Sequence, residues 1–291
     1  MKLSIIGDIC LSRQIYSKYI KSKYQIVDEA ILKKLSASDF VLANLESPIC
    51  ELAKTDGDHL SFRGAPEMLE QFSFVNCFSL SNNHINDCGP EGIDETIAAL
   101  EKKNISYNGI FKNEYKPIII NRKGNKIAIF TCTDMMNISF SEDCQWKYLS
   151  IDNKYLDGLI KQYKKEGYFI IIYAHVGILF SRFVNPIIRK YLHEKIEYGT
   201  DLIVTAHAHC LGGMEYYNGK PIFHSMGDFV MDGGSYRRRR AAVLRIAIEN
   251  NDFKEYEIIP TIIDNELKTK LASAEAKERM LNSWQYVTHK L

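Results

Sequence analysis

The chain has 291 residues, 46% of them hydrophobic and 25% charged, which is enough for a well-buried core and unlike a disordered or collagen-like sequence. The 37 Lys and Arg stand against 36 Asp and Glu, and a net charge of +1 gives no global pull toward nucleic acid or an anionic membrane. No apolar run reaches the roughly 20 residues of a membrane span, and the short run behind Lys2 is broken by Asp8, so a cytoplasmic protein is expected.

In chain order, LSIIG (3–7) predicts a strand, residues 28–37 have helical apolar spacing, and FVLAN (40–44) predicts a second strand. CFSLS (77–81) reads as a third, and Pro90 opens a helix that runs to about Lys103. PIIIN (117–121) and KIAIFTC (126–132) flank RKGN, a hairpin signal. A helix over about 152–166 precedes the apolar strand YFIIIYA (168–174), and a helix over about 186–199 precedes DLIVTA (201–206). MEYYNGKPIFHS predicts a hairpin turning at Asn218-Gly219, residues 241–249 and 254–262 predict strands, and a polar helix closes the chain. Alternating strands and helices followed by hairpins argue for a mixed α/β fold in one domain, residues 1–291, with the segment from about 264 as an appendage. The seven cysteines (10, 50, 77, 88, 132, 144 and 210) form no CxxC pair and are expected as free thiols, mostly small core residues.

Nearly all metal-capable residues fall immediately after a predicted strand. Asp8 follows LSIIG, Glu46 follows FVLAN, and Asn82, Asn83 and His84 follow CFSLS. His175 follows YFIIIYA, and His207 and His209 follow DLIVTA. In open α/β sheets ligands bind beyond the carboxyl ends of strands, so these loops could converge on one rim. Each residue alone also has a bland reading: Asp8 as a helix cap, Glu46 as a turn residue, Asn83 and His84 as loop hydrogen-bonders, His175 as a satisfied core histidine. The His207-Ala208-His209 pair, at i and i+2 beyond a buried strand, fits a ligand pair better. Imidazole with carboxylate and amide oxygen suits Zn, Mn or Fe.

The segments GDICL (7–11), ANLESP (43–48), SNNHINDCGPEGIDETIAALEKKNI (81–105), AHVGI (174–178) and TAHAHCLGGMEYYNGKPIFHSMGDFV (205–230) resemble the CapA-type metallophosphatases. These are poly-γ-glutamate capsule biosynthesis proteins related to calcineurin-like phosphoesterases, and the resemblance runs in order over residues 3–230. It implies a four-layer α/β/β/α sandwich with two divalent metal ions (Mn, Fe or Zn) at the sheet ends. Residue by residue, it implies Asp8 and His209 as ligands of a first metal, Glu46 as a bridge, and Asn83, His175 and His207 as ligands of a second. His84 resembles the histidine that protonates the leaving group. Two positions depart from the family pattern. Cys10 stands where a D-x-H motif has histidine, and it either takes a ligand position or faces the core. Asp228 stands where the family usually has Asn (GNF), and it adds a ligand or repels phosphate.

The implied activity is hydrolysis of a phosphate ester or anhydride by metal-bound hydroxide, with a role in capsule or exopolymer synthesis. The alternative is a non-hydrolytic polyanion-binding component of capsule assembly. The expected partner is an anionic phosphorylated substrate, small or polymeric; a membrane or nucleic acid is not expected, although a nuclease stays open as a third, weaker reading. Arg63, Arg237 and Arg240 are the candidate substrate-binding cations, the last two from the run Arg237–Arg240, which reads otherwise as a solvated loop. Arg13 reads as helix decoration, His224 as an orienting partner of a ligand, and His59, His193 and His289 as surface residues.

Overall fold

A computed structural model describes residues 1–51, 62–235 and 237–289, so His59 lies outside the described residues. The chain begins β1 (Lys2–Ile9), α1 (Arg13–Ser22), α2 (Glu29–Leu35) and β2 (Phe40–Leu45). A 3-10 helix (Pro66–Phe72) leads to β3 (Cys77–Ser79), α3 (Gly89–Lys102), β4 (Ser106–Asn108) and β5 (Ile110–Phe111). Next come β6 (Ile118–Arg122), β7 (Asn125–Thr133), β8 (Lys147–Tyr148), α4 (Lys154–Lys165), β9 (Phe169–His175), α5 (Pro186–Glu197) and β10 (Leu202–Ala206). The last third holds β11 (Met214–Tyr217), β12 (Lys220–Phe223), β13 (Asp228–Val230), β14 (Arg240–Glu249), β15 (Asp252–Ile263), β16 (Thr269–Leu271) and α6 (Ala274–Thr288).

One sheet has the order β16-β15-β14-β1-β2-β3-β4, with β13 also pairing β1; a second has the order β11-β12-β10-β9-β7-β6, and β5 pairs with β8 apart from both. Period-two alternation tells each strand which layer to face. In β9, Phe169, Ile171 and Tyr173 face the first sheet and meet Leu3, Ile5 and Leu42, while Ile170, Ile172 and Ala174 face out. The outward row is covered by α4 and α5 through Leu156, Ile160, Leu192 and Ile196. On the other side α1, α2 and α3 cover the outer face of the first sheet through Ile15, Ile31, Ile93 and Leu100. The result is the α/β/β/α sandwich. The helices start where local chemistry starts them. Asp28, Asn153, Asn185 and Ser273 each accept a backbone N–H from the first turn of α2, α4, α5 and α6.

Two sequence expectations need correction. The C-terminal helix is no appendage: Met280 and Trp284 of α6 are buried in the apolar cluster between the two sheets. The cysteines are not all scattered: the sulfur of Cys50, beyond β2, lies against that of Cys88 at the start of α3.

The N-terminal strand is tightly enclosed where it delivers its last residues. Gly7 passes β13 so closely that an added Cβ would collide with the Gly227 carbonyl oxygen, which also accepts the Asp8 N–H at 3.1 Å. Gly7→Ala is therefore expected to cost about 1–3 kcal/mol through overpacking. A thermal melt should fall by several degrees, and an unchanged midpoint would show that β13 yields freely.

Candidate metal centre

The two sheets present different chemistry at their carboxyl ends. Along β2 parity puts Leu42 and Asn44 in one row facing the second sheet, and Glu46, just past the strand's end, continues that row and is fully buried. Asp8 ends the run of β1 and pairs in register with Asn44 and with Asp228. From the second sheet His175 continues the inward row of β9, and the turn after β10 carries His207 and His209. Both of these histidines have left-handed backbone, φ 89° and 54°. Such conformations in residues other than glycine cluster at ligand clamps. Asp8 Oδ2 holds the turn by accepting the His207 N–H at 3.1 Å.

These atoms converge. Asp8 Oδ1 lies 3.5 Å from His175 Nδ1, and its Oδ2 lies 3.8 Å from His209 Nδ1. Glu46 Oε1 is 3.3 Å from His175 Nε2 and 3.7 Å from His209 Nε2. His207 Nδ1 and Asn83 Oδ1 lie 3.0 and 2.8 Å from His175 Nε2. Two groups result, Glu46–His175–His207 and Asp8–Glu46–His209; within each, donor atoms lie within 4.8 Å of one another, so either could hold a metal ion. Glu46 belongs to both. Among the described residues, no group meets its two buried carboxylate oxygens in good hydrogen-bond geometry; the His175 and His209 ring nitrogens face Oε1. Buried ionised oxygens are costly unless paired or coordinating a metal. The donor set of carboxylate, imidazole and amide oxygen fits a divalent cation.

The titration behaviour follows from burial competing with these close charges. Burial pushes Asp8 up, but the His175 hydrogen bond and charge, with His209 and Asn44, outweigh it and hold Asp8 at about 2. Burial pushes His175 and His209 down. Glu46 and Asp8 bring His175 up to about 9, and Asp228 and Glu46 bring His209 up to about 10. His207 stays down at about 3, because burial and the neighbouring charges of His175 and His209 act together. The protonated imidazoles thus supply positive charge among the carboxylates. Cation binding must displace those protons.

Several residues around this cluster carry no assignment from the sequence. Asn44 Nδ2 donates to Asp8 Oδ1 at 2.8 Å and lies 3.1 Å from His175 Nδ1. Parity along β2 carries the signal for it, since it shares a face with Glu46. Asp228 Oδ1 lies 2.7 Å from His209 Nδ1, so the extra carboxylate meets a candidate ligand's ring, an arrangement neither sequence reading included. Such partners fix ring orientation in metal sites. Cys10 resolves toward the core: it packs with Phe62, Met231 and Ile263, and burial pushes its thiol well up. His84 hydrogen-bonds Asp87 through Nδ1 at 2.7 Å and stacks on Phe62 at 4.0 Å between centroids.

A cleft of about 360 Å³ opens over the cluster, lined by Asn83, His84, His209, Asp228, Phe180 and Arg238, with Arg13 at its edge. Arg13, expected as decoration, lies over the Phe62 ring at 4.9 Å and donates from Nε to Asp232 Oδ1 at 2.9 Å. The three predicted substrate cations go elsewhere. Arg63 is exposed and absent from the cleft lining, because its neighbour Phe62 takes the inward position. Arg237 and Arg240 line a separate pocket, leaving Arg238 of that run in the cleft.

His224 does not reach the cluster; its Nε2 lies 3.1 Å from Glu215 Oε1, and His193, expected at the surface, packs on Tyr217 and faces the same carboxylate at 3.2 Å. Burial would raise Glu215, but hydrogen bonds from His224 and Arg189 prevail and bring it down to about 2 from an ordinary 4.5. A depressed carboxylate stabilises the fold fully above its unfolded value, and that contribution is lost as pH falls from about 4.5 through about 2. Glu215→Gln should therefore flatten the acid limb of the stability curve in that window. An identical acid limb in the variant would rule out this coupling.

Two comparisons of sequence agree. The chain is 25% identical over 291 residues to the PGA biosynthesis protein CapA of Bacillus subtilis (strain 168), covering 97% of this chain and 76% of that protein. It is 25% identical over 299 residues to the capsule biosynthesis protein CapA of Bacillus anthracis, covering 96% and 72%. Among solved structures, a hypothetical protein from Thermus thermophilus superposes with a TM-score of 0.53 at 11% identity, covering 89% of this chain and 98% of that one. The sulfate thiohydrolase SoxB of the same organism, solved with glycerol, gives 0.50 at 14% identity, covering 93% and 46%. At these identities the likeness is one of fold, that of the calcineurin-like metallophosphoesterases. No described helix is long and apolar enough to cross a membrane. Residues 2–233 match the bacterial capsule synthesis protein family PGA_cap, and the chain belongs to that family.

Proposed function

We propose that the protein is a metal-dependent phosphoester or phosphoanhydride hydrolase with a role in making a capsule or other exopolymer. The observation that carries this reading is Glu46, a buried carboxylate shared by two donor groups and facing the ring nitrogens of His175 and His209. Asp8, Glu46 and His209 would hold one divalent cation; Glu46, His175, His207 and Asn83 would hold the other. Bound there, the cations would supply Lewis acidity. The chain's own residues would do the rest. Asp228 orients His209, and Asn44 orients Asp8 and His175. His84, kept in place by Asp87 and Phe62, lines the cleft beside Asn137, whose Nδ2 lies 3.3 Å from its Nε2, and would serve as proton donor to the leaving oxygen. Arg13 and Arg238 at the cleft are the cations suited to substrate oxygens.

The test is hydrolysis of phosphomonoesters and diesters by purified protein supplied with Mn²⁺, Fe²⁺ or Zn²⁺, beside His207→Ala, with bound metal measured in both. Metal-dependent turnover in the parent and its loss in the variant are expected. Metal retained without turnover on either substrate class would sink the hydrolase reading and leave a polyanion-binding role.

A further inference from the structure

A second cavity, of about 390 Å³, lies beside the candidate metal cleft but does not share its lining, and it is bounded by Arg182, Arg237 and Arg240 together with Leu211, Met280 and Val287. That volume is within the range of small-molecule sites. Three guanidinium groups meet there, and no carboxylate is among the described lining residues. Arg182 donates to Leu211 O at 3.1 Å, to Ser283 Oγ at 2.8 Å and to Ser283 O at 2.9 Å, all uncharged acceptors. Those bonds fix its plane without neutralising it. Arg237 is exposed and makes no ion pair among the described residues. Burial, with the nearby charges of Arg237 and Arg240, holds Arg182 below its ordinary range. In meeting uncharged acceptors Arg182 differs from Arg189, which meets Glu215, and from Arg13, which meets Asp232. The rest of the cavity wall is largely apolar, and Met280 and Val287 of α6 are nearly fully buried.

We propose that this cavity is a binding site for an organic anion, with a phosphate or carboxylate head among the three arginines and an apolar body against α6. Planar guanidinium forks match either oxyanion, and the aliphatic wall selects ligands that carry hydrocarbon with the charge. The site needs neither hydrolysis nor a bound cation, so it stands apart from the proposed function.

Titration calorimetry on the full chain in chelator-treated buffer tests it, with phenyl phosphate and benzoate as the two head-group arms and inorganic phosphate and benzyl alcohol as controls. Binding of at least one aromatic anion is expected, tighter than both controls, and the tighter arm identifies the head group. Arg237→Glu, at an exposed position, should weaken it about tenfold or more, with Arg240→Gln as a second variant. Glu46→Gln should leave it unchanged, since Glu46 lies in the other cluster. Absence of binding by both aromatic anions would overturn the proposal. So would equal affinity for inorganic phosphate, indifference to both arginine variants, or loss in Glu46→Gln alone.

Discussion

Glu46→Gln should abolish most of the heat stabilisation that divalent cations give the parent protein. A ligand at a hundred times its Kd stabilises a fold by about 2.7 kcal/mol, worth several degrees in a protein this size. Glutamine keeps the shape of the side chain but loses its charge and one oxygen acceptor. Because Glu46 belongs to both donor groups, one substitution weakens both. The loss in affinity should exceed the roughly 10- to 100-fold typical of removing an outer hydrogen bond to a ligand. His209→Ala, in contrast, removes a donor from one group only and should spare part of the shift. Melting curves with and without Mn²⁺ or Zn²⁺, alongside metal analysis, check this. Equal cation-induced shifts in parent and Glu46→Gln would rule out a shared carboxylate.

His84→Gln should cut kcat by about 10²–10⁴-fold for an alkyl phosphate, the usual span for losing a general acid. For 4-nitrophenyl phosphate the fall should be far smaller, because that leaving group departs without a proton. This difference separates proton donation from mere packing. Removing the Phe62 stack or reshaping the cleft would depress both substrates alike. Asp87→Asn, which keeps the volume but weakens the anchor at Nδ1, should give the same leaving-group pattern at smaller size. Equal losses for both esters in His84→Gln would move His84 from chemistry to binding.

The fold and the cluster were readable where information is local. Donors placed right after apolar strands must emerge at strand ends, and the parity of β9 carries His175 inward with Phe169, Ile171 and Tyr173. Parity also explains the misses. Phe62 and Arg63, or Arg237 and Arg238, are chain neighbours whose side chains diverge, and a one-residue error exchanges cleft for surface. Sequence spacing around Arg63 could not resolve that. Asp228 and His209 meet because β13 returns to pair with β1, a long-range event that no short motif encodes. α6 looks polar along its length, yet a stripe of Ala276, Met280, Trp284 and Val287 docks it. The approach of the Cys50 and Cys88 sulfurs across 38 positions was hidden for the same reason.

Oxygen donors come from the strand ends of one sheet and imidazoles from the other, so any cation seated between them rivets the two halves of the sandwich. Slippage of one half by even an ångström would spoil coordination on both sides of Glu46. Volume changes deep in the intervening apolar layer, at Tyr173 for instance, should therefore register as altered metal preference long before the protein loses its shape.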